Sequence, residues 1–161
     1  EVDLGFYKKV KNFCKEKNIV FLLTPHTESV LNWIKILKIP IIKIGSGEIG
    51  NFEFLKKIIK LKKTMIVSTG MHSKEDLISL KKFFQRNKFN KVIFLKCNTT
   101  YPSKDENINL KNFLEFKKIF KNYSIGYSDH CKGINASISA ISMGCLTPLI
   151  ADWRLVATSA G

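Results

Sequence analysis

The run Ile39-Pro40-Ile41-Ile42-Lys43-Ile44-Gly45-Ser46-Gly47-Glu48 carries the architecture of this chain. Branched aliphatics lead up to Gly-Ser-Gly, the pattern of a fully buried strand that stops in a tight turn. One lysine sits inside it. Burying an ammonium is costly unless an anion meets it, so Lys43 is solvated at the strand end, paired, or placed for an anionic ligand. Ser46 and Glu48 add a hydroxyl and a carboxylate beside it, and a plain Lys43–Glu48 ion pair stands as the alternative to a ligand site.

Outward from this run, the same alternation repeats. Upstream, Phe6, Val10, Phe13 and Cys14 fall at helical spacing, Ile19–Leu23 reads as a buried strand stopped by Thr24-Pro25, and Val30, Leu31, Ile34 and Leu37 make a second helical face. Downstream, Leu55, Ile58 and Ile59 predict a helix and Thr64–Val67 a strand ending in Ser68-Thr69-Gly70. Ser73 with Asp76 predicts an N-cap for a helix carrying Leu77, Leu80 and Phe84. Strands are expected at Lys91–Leu95, at Ser124–Gly126 and at Leu146–Ile150, with helices through Phe113, Phe116 and Phe120 and through Ile134, Ile138 and Ile141. Six strands with intervening helices imply a parallel sheet of right-handed βαβ units. The polar clusters at 24–26, 45–48, 68–70, 98–101 and 128–130 each follow a strand, so they are expected to converge at the carboxyl ends of the sheet. Two α/β architectures fit: an open doubly wound sheet, or most of a TIM barrel lacking its first two units.

The totals narrow the function classes. The chain has 161 residues, enough for one core, with 27 basic against 13 acidic residues and a net charge of +14. The lysines are spread over nearly every helix rather than clustered, so a nucleic-acid partner is not expected, while a diffuse positive field draws small anions. No apolar run is long enough to span a membrane. No signal peptide is expected, and without an initiator Met the chain is expected to start inside a longer frame. The four cysteines, at 14, 97, 131 and 145, form no CxxC pair, which argues against a zinc knuckle or disulfide framework and for a cytoplasmic setting.

In order and spacing, Thr24-Pro25, Lys43-Ile44-Gly45-Ser46-Gly47-Glu48, Ser68-Thr69-Gly70-Met71, Tyr101-Pro102 and Gly126-Tyr127-Ser128-Asp129-His130 resemble the sialic acid synthase family, which includes the legionaminic and pseudaminic acid synthases. The resemblance spans about residues 5 to 145 and implies an incomplete TIM (β/α)8 barrel, about strands 3 to 8. It implies an enzyme condensing phosphoenolpyruvate with an N-acylated amino sugar such as N-acetylmannosamine, with Mn²⁺ or Mg²⁺, as a homodimer. Matched position by position, Thr24, Lys43, Ser46, Ser68 and Ser128 would hold phosphoenolpyruvate, a trianion that suits a lysine among hydroxyl donors. Glu48 would be the active-site carboxylate, Tyr101 and Thr99 would lie in the sugar pocket, and His130 would ligate the metal. Thr24, Ser68 and Ser128 have a plainer alternative as helix caps, and a lone loop histidine is commonly structural.

The resemblance has gaps. Residues 146–161 do not resemble the family and are expected to be a frameshifted or read-through tail after a barrel part at 1–145; Ala151 falls where a second histidine ligand is expected. Lys96 replaces a histidine before the cysteine of its strand, and His26 stands in place of phenylalanine. The first two strands and a C-terminal antifreeze-like domain are missing, so the chain by itself is expected to be inactive or nearly so. A related synthase acting on a phosphorylated sugar, or a non-catalytic anion-binding remnant, are the competing readings.

Overall fold

The computed structural model describes residues 3–150. Helix α1 (Leu4–Glu16) is followed by an extended segment, then α2 (Glu28–Ile36), β1 (Ile41–Ile44), α3 (Phe52–Ile59), β2 (Thr64–Ser68) and α4 (Lys74–Arg86). Next come β3 (Val92–Cys97), α5 (Lys111–Ile119), β4 (Ser124–Asp129), α6 (Asn135–Ser142) and β5 (Thr147–Ile150). All neighbouring strands are parallel and their spatial order, β1-β2-β3-β4-β5, is their chain order. A doubly wound sheet reverses its strand order at a switch point; a progression with no reversal keeps every right-handed crossover helix on one face, as in a barrel wall. The incomplete barrel is therefore the architecture.

The sheet consequently has two unlike faces. Ile42, Ile44, Met65, Val67, Phe94, Ile125 and Tyr127 point toward the helices and join Ile34, Leu55, Ile58, Leu80, Phe84 and Phe113 in one core. Alternation sends Lys43, Ile66, Ser68, Leu95, Cys97 and Ser128 to the other face, and the register sets Lys43 beside Ile66, Ser68 beside Leu95, and Cys97 beside Ser128. Phe94 anchors the helix side: it stacks on Phe120 at 4.0 Å and meets Phe84 and Tyr123 edge-on at 5.3 and 5.2 Å. At the start of α4, Ser73 and Asp76 form the expected reciprocal cap.

Three expectations need correcting. Residues 19–23 do not form a sixth strand: one parallel bridge joins Leu23 to Ile42, and Ile19 and Val20 are 59% and 63% exposed. With a neighbour on one side only, and that neighbour just four residues long, the segment keeps pairing only where β1 runs beside it. On α1, Val10 and Cys14 are half-buried but Phe6 and Phe13 are exposed. On α6, Ile134, Ile138 and Ile141 are exposed as well, because the helix lies on the sheet through Ala136, Ser137 and Ala140. The expected tail begins at residue 146; its first residues lead into β5, and 151–161, including Ala151, lie outside the described residues.

Phe94→Ala is expected to cost about 3–5 kcal/mol, since the vacated ring position is bounded by other rings with little freedom to collapse. Urea denaturation followed by circular dichroism measures this.

Candidate active site

The conversion of a buried strand into a polar loop happens at the same level in each unit, and the loops touch in series. Lys43 Nζ donates to Ser68 Oγ at 2.5 Å and to the Ile44 carbonyl at 3.2 Å. No carboxylate pairs with it among the described residues, so the Lys43–Glu48 alternative fails. Glu48 instead meets His26, Oε1 to Nδ1 at 3.2 Å, with the carboxylate largely sheltered and the imidazole exposed. Ser46 Oγ accepts from the Gly70 amide at 3.0 Å and lies 3.8 Å from Cys97 Sγ, while His72 Nε2 contacts the Ser46 carbonyl oxygen at 2.8 Å.

On the far side, His130 Nε2 is shared by the Tyr101 hydroxyl at 2.7 Å and Ser128 Oγ at 3.1 Å. The Tyr101 and His130 rings stack 3.8 Å apart, and the Ser103 amide donates to the His130 carbonyl at 2.8 Å, fastening the Tyr101 loop to the end of β4. Burial lowers the His130 pKa and the Lys43 ammonium pushes the same way, against Asp129 and the Asn98 backbone. Lys43 therefore acts on both halves of the site.

Of the residues expected from sequence, Lys43 and Ser68 meet directly, as do Ser128, His130 and Tyr101. Ser46 joins them through Gly70 and Cys97. Thr24 is half-buried just beyond the Leu23 bridge, its hydroxyl making no hydrogen bond among the described residues. Thr99 is exposed and packs against Gly70. None of Thr24, Ser68 and Ser128 caps a helix: the side chains that do belong to Asp3, Asn51 and Ser73.

Four further participants were given no site role by the sequence. A Cβ on Gly70 would stand 2.9 Å from Thr99 Cγ2, 3.2 Å from Cys97 Sγ and 3.3 Å from Ser46 Oγ, so only glycine lets the three loops close together. Cys97 accepts from the Gly70 amide at 3.2 Å. His26 holds Glu48. Asp129, 1% exposed, accepts from the Cys131 amide at 2.9 Å and Ser137 Oγ at 2.7 Å, tying the His130 segment to α6. The Gly and Asp belong to clusters legible in the sequence, but only cross-strand register reveals what they touch. Among the described residues no cysteine is joined in a disulfide.

As a metal centre the described residues fall short. No three His, Cys, Asp or Glu side chains among them come together to hold an ion. His130 supplies one imidazole, its Nε2 already shared by two hydroxyls and its buried Nδ1 without a partner at hydrogen-bonding geometry.

A one-directional parallel α/β wall, with an ammonium among hydroxyls at its carboxyl edge and no carboxylate on it among the described residues, places the chain in the class of TIM-barrel proteins. Residues 1–147 match the model of the NeuB family, and the chain belongs to that family. It is 38% identical over 146 residues to the N,N'-diacetyllegionaminic acid synthase of Campylobacter jejuni, covering 89% of this chain and 43% of that protein. To the human N-acetylneuraminate-9-phosphate synthase it is 31% identical, covering 86% and 38%. The solved N-acetylneuraminic acid synthetase of Leptospira borgpetersenii, in complex with citrate, superposes with a TM-score of 0.84 at 29% identity, covering 93% of this chain and 52% of that one. The chain thus spans about two-fifths of the length of these curated relatives. No helix among the described residues is long and apolar enough to cross a membrane.

Burial lowers the Lys43 pKa from its ordinary 10.5, with Cys97 pulling the other way, and Lys96 is shifted in the same direction. Between the lowered value and 10.5 the unfolded chain binds more protons than the folded one, so stability rises with pH through that window and the charged form is a burden below it. Lys43→Met is expected to raise the Tm at neutral pH and to flatten its rise as pH climbs toward the ordinary lysine value of 10.5. Thermal melts across that range check both; a lower Tm at neutral pH would show the ammonium to be a net structural support.

Proposed function

We propose that this chain carries the phosphoenolpyruvate-binding wall of a nonulosonic acid synthase, one that joins phosphoenolpyruvate to an N-acylated amino sugar. The observation that carries the reading is Lys43: half-buried, bonded to Ser68 and a carbonyl, and without a carboxylate partner among the described residues. An ammonium left in this state is stabilised by an anion arriving from outside, and hydroxyls supply the remaining hydrogen bonds without adding charge. Family membership and the names of the relatives point the same way.

In this reading Lys43, with Ser46, Ser68, Ser128 and Thr24, holds the phosphate and carboxylate of phosphoenolpyruvate. Its C3 then forms a bond to the sugar aldehyde carbon, water adds at C2, and phosphate departs by C–O cleavage. Glu48, sheltered and steadied by His26, exchanges the proton at the aldehyde oxygen or the attacking water. Tyr101 and Thr99 line the sugar side, with Tyr101 the more constrained because it is stacked on His130. Were Mn²⁺ or Mg²⁺ to bind, His130 is the one ligand this reading names for it among the described residues, the others coming from outside them. We place the protein in a homodimer as part of the same reading.

Calorimetry with phosphoenolpyruvate tests the wall by itself. The native chain is expected to bind it, Lys43→Ala to abolish the binding, and Gly70→Ala to weaken it at least about tenfold, or about 1.4 kcal/mol, by displacing Ser46. Unchanged affinity in Lys43→Ala would remove Lys43 from the site. With N-acetylmannosamine and Mn²⁺ added, product formation by this chain alone is expected to stay at background. A phosphorylated sugar that supported turnover where the free one did not would shift the reading to a 3-deoxy sugar-acid synthase.

A further inference from the structure

Beside the carboxyl end of β3 a cavity of about 300 Å³ opens between α4 and α5 and reaches back to Gly70, His72 and Cys97 of the loops that pack on Ser46. Lys96 lines it. The side chain is half-buried, its pKa lowered by desolvation, and its ammonium makes one hydrogen bond, to the Ile108 carbonyl at 3.2 Å. An ammonium carries three donors, so two remain for a ligand. No carboxylate pairs with it among the described residues: Glu115, the acidic group lining the cavity, is taken by Lys74 at 2.6 Å, both half-exposed at the mouth.

Lys74 and Glu115 offset each other and His72 faces Asp76 at 3.7 Å, so among the described residues Lys96 is the ammonium of the cavity left without a carboxylate. The cavity walls include Leu77, Phe116 and Ile119, apolar surface suited to a short carbon skeleton. The volume is at the small end of the ~300–1,000 Å³ typical of ligand pockets. We propose that this cavity is a second anion site, next to the Lys43 site, which takes a small monocarboxylate with its carboxylate on Lys96 and its carbon skeleton against α4 and α5. A single positive charge in partly apolar surroundings favours a singly charged, weakly hydrated headgroup; a phosphate dianion would bring a second charge with no counterpart and a larger desolvation cost. Alternation along β3 turns Lys96 to the face of the sheet opposite Lys43, and the two sites share Gly70 and Cys97, which line this cavity and also contact Ser46.

The probe is pyruvate, titrated into the ¹⁵N-labelled full chain at constant ionic strength, with inorganic phosphate in a parallel series. Native protein and Lys43→Met are expected to show saturable amide shifts at Leu77, Phe116 and Ile119, and Lys96→Met to need at least about tenfold more pyruvate for the same response. Lys96→Gln, which preserves a donor for the Ile108 carbonyl, is expected to lose the response too, and decides the matter should Lys96→Met fail to fold. Equal responses in the Lys96 variants, no saturable shift at α4 and α5, or loss of those shifts in Lys43→Met would each overturn the second site. A preference for phosphate over pyruvate would overturn its assignment to a monocarboxylate.

Discussion

The structure depends on the position of one positive charge. Lys43 projects from a strand whose neighbours in sequence are isoleucines, onto the face of the sheet away from the main core. It is bonded to a serine hydroxyl rather than a carboxylate, so the local electrostatics are left open. A carboxylate partner would have closed them, giving a more stable and less useful strand end. Glu48, five residues on, would be the obvious partner, yet it is drawn to His26 at the end of the preceding extended segment.

The division of labour between the two faces makes this tolerable. Aromatic packing around Phe94 and Phe120 and the aliphatic layer from Ile34 to Leu80 lie on the helix side, so polar groups at the carboxyl edge can be arranged for chemistry without opening the core. Gly70 is where the loops are locked together: Ser46, Cys97 and Thr99 close on a backbone with no side chain. The arrangement is rigid because it is crowded.

Much of this was legible in the residues, and the reasons differ by element. Apolar runs ending in Gly-Ser-Gly, Ser-Thr-Gly and Ser-Asp-His placed β1, β2 and β4 and the polar edge correctly, because buried parallel strands are written as continuous hydrophobic stretches. The choice between a doubly wound sheet and a barrel was not readable from the pattern, since both repeat the same unit; only strand order separates them. Ile19–Leu23 has strand composition but lacks a neighbour along most of its length. Ile134, Ile138 and Ile141 have helix spacing but the wrong side, because Ala136 and Ala140 allow closer approach to the sheet. That the loops carrying Lys43, Ser68, Tyr101 and His130 come together was expected from the clusters after each strand, whereas the direct Lys43–Ser68 and His130–Tyr101 contacts, the His26–Glu48 pair and the role of Cys97 are products of register between distant segments.

The outward isoleucines of α6 and the thinly paired rim at Ile19 and Val20 coexist with a net charge of +14. Like-charged molecules hold each other at arm's length in dilute buffer, so adhesive surfaces rarely meet. Raising ionic strength shortens the Debye length from about 30 Å at 0.01 M to about 8 Å at 0.15 M, and that spacing is lost. Colloidal behaviour of the polypeptide is thus governed by electrolyte, which screens the lysine charge that keeps its molecules apart.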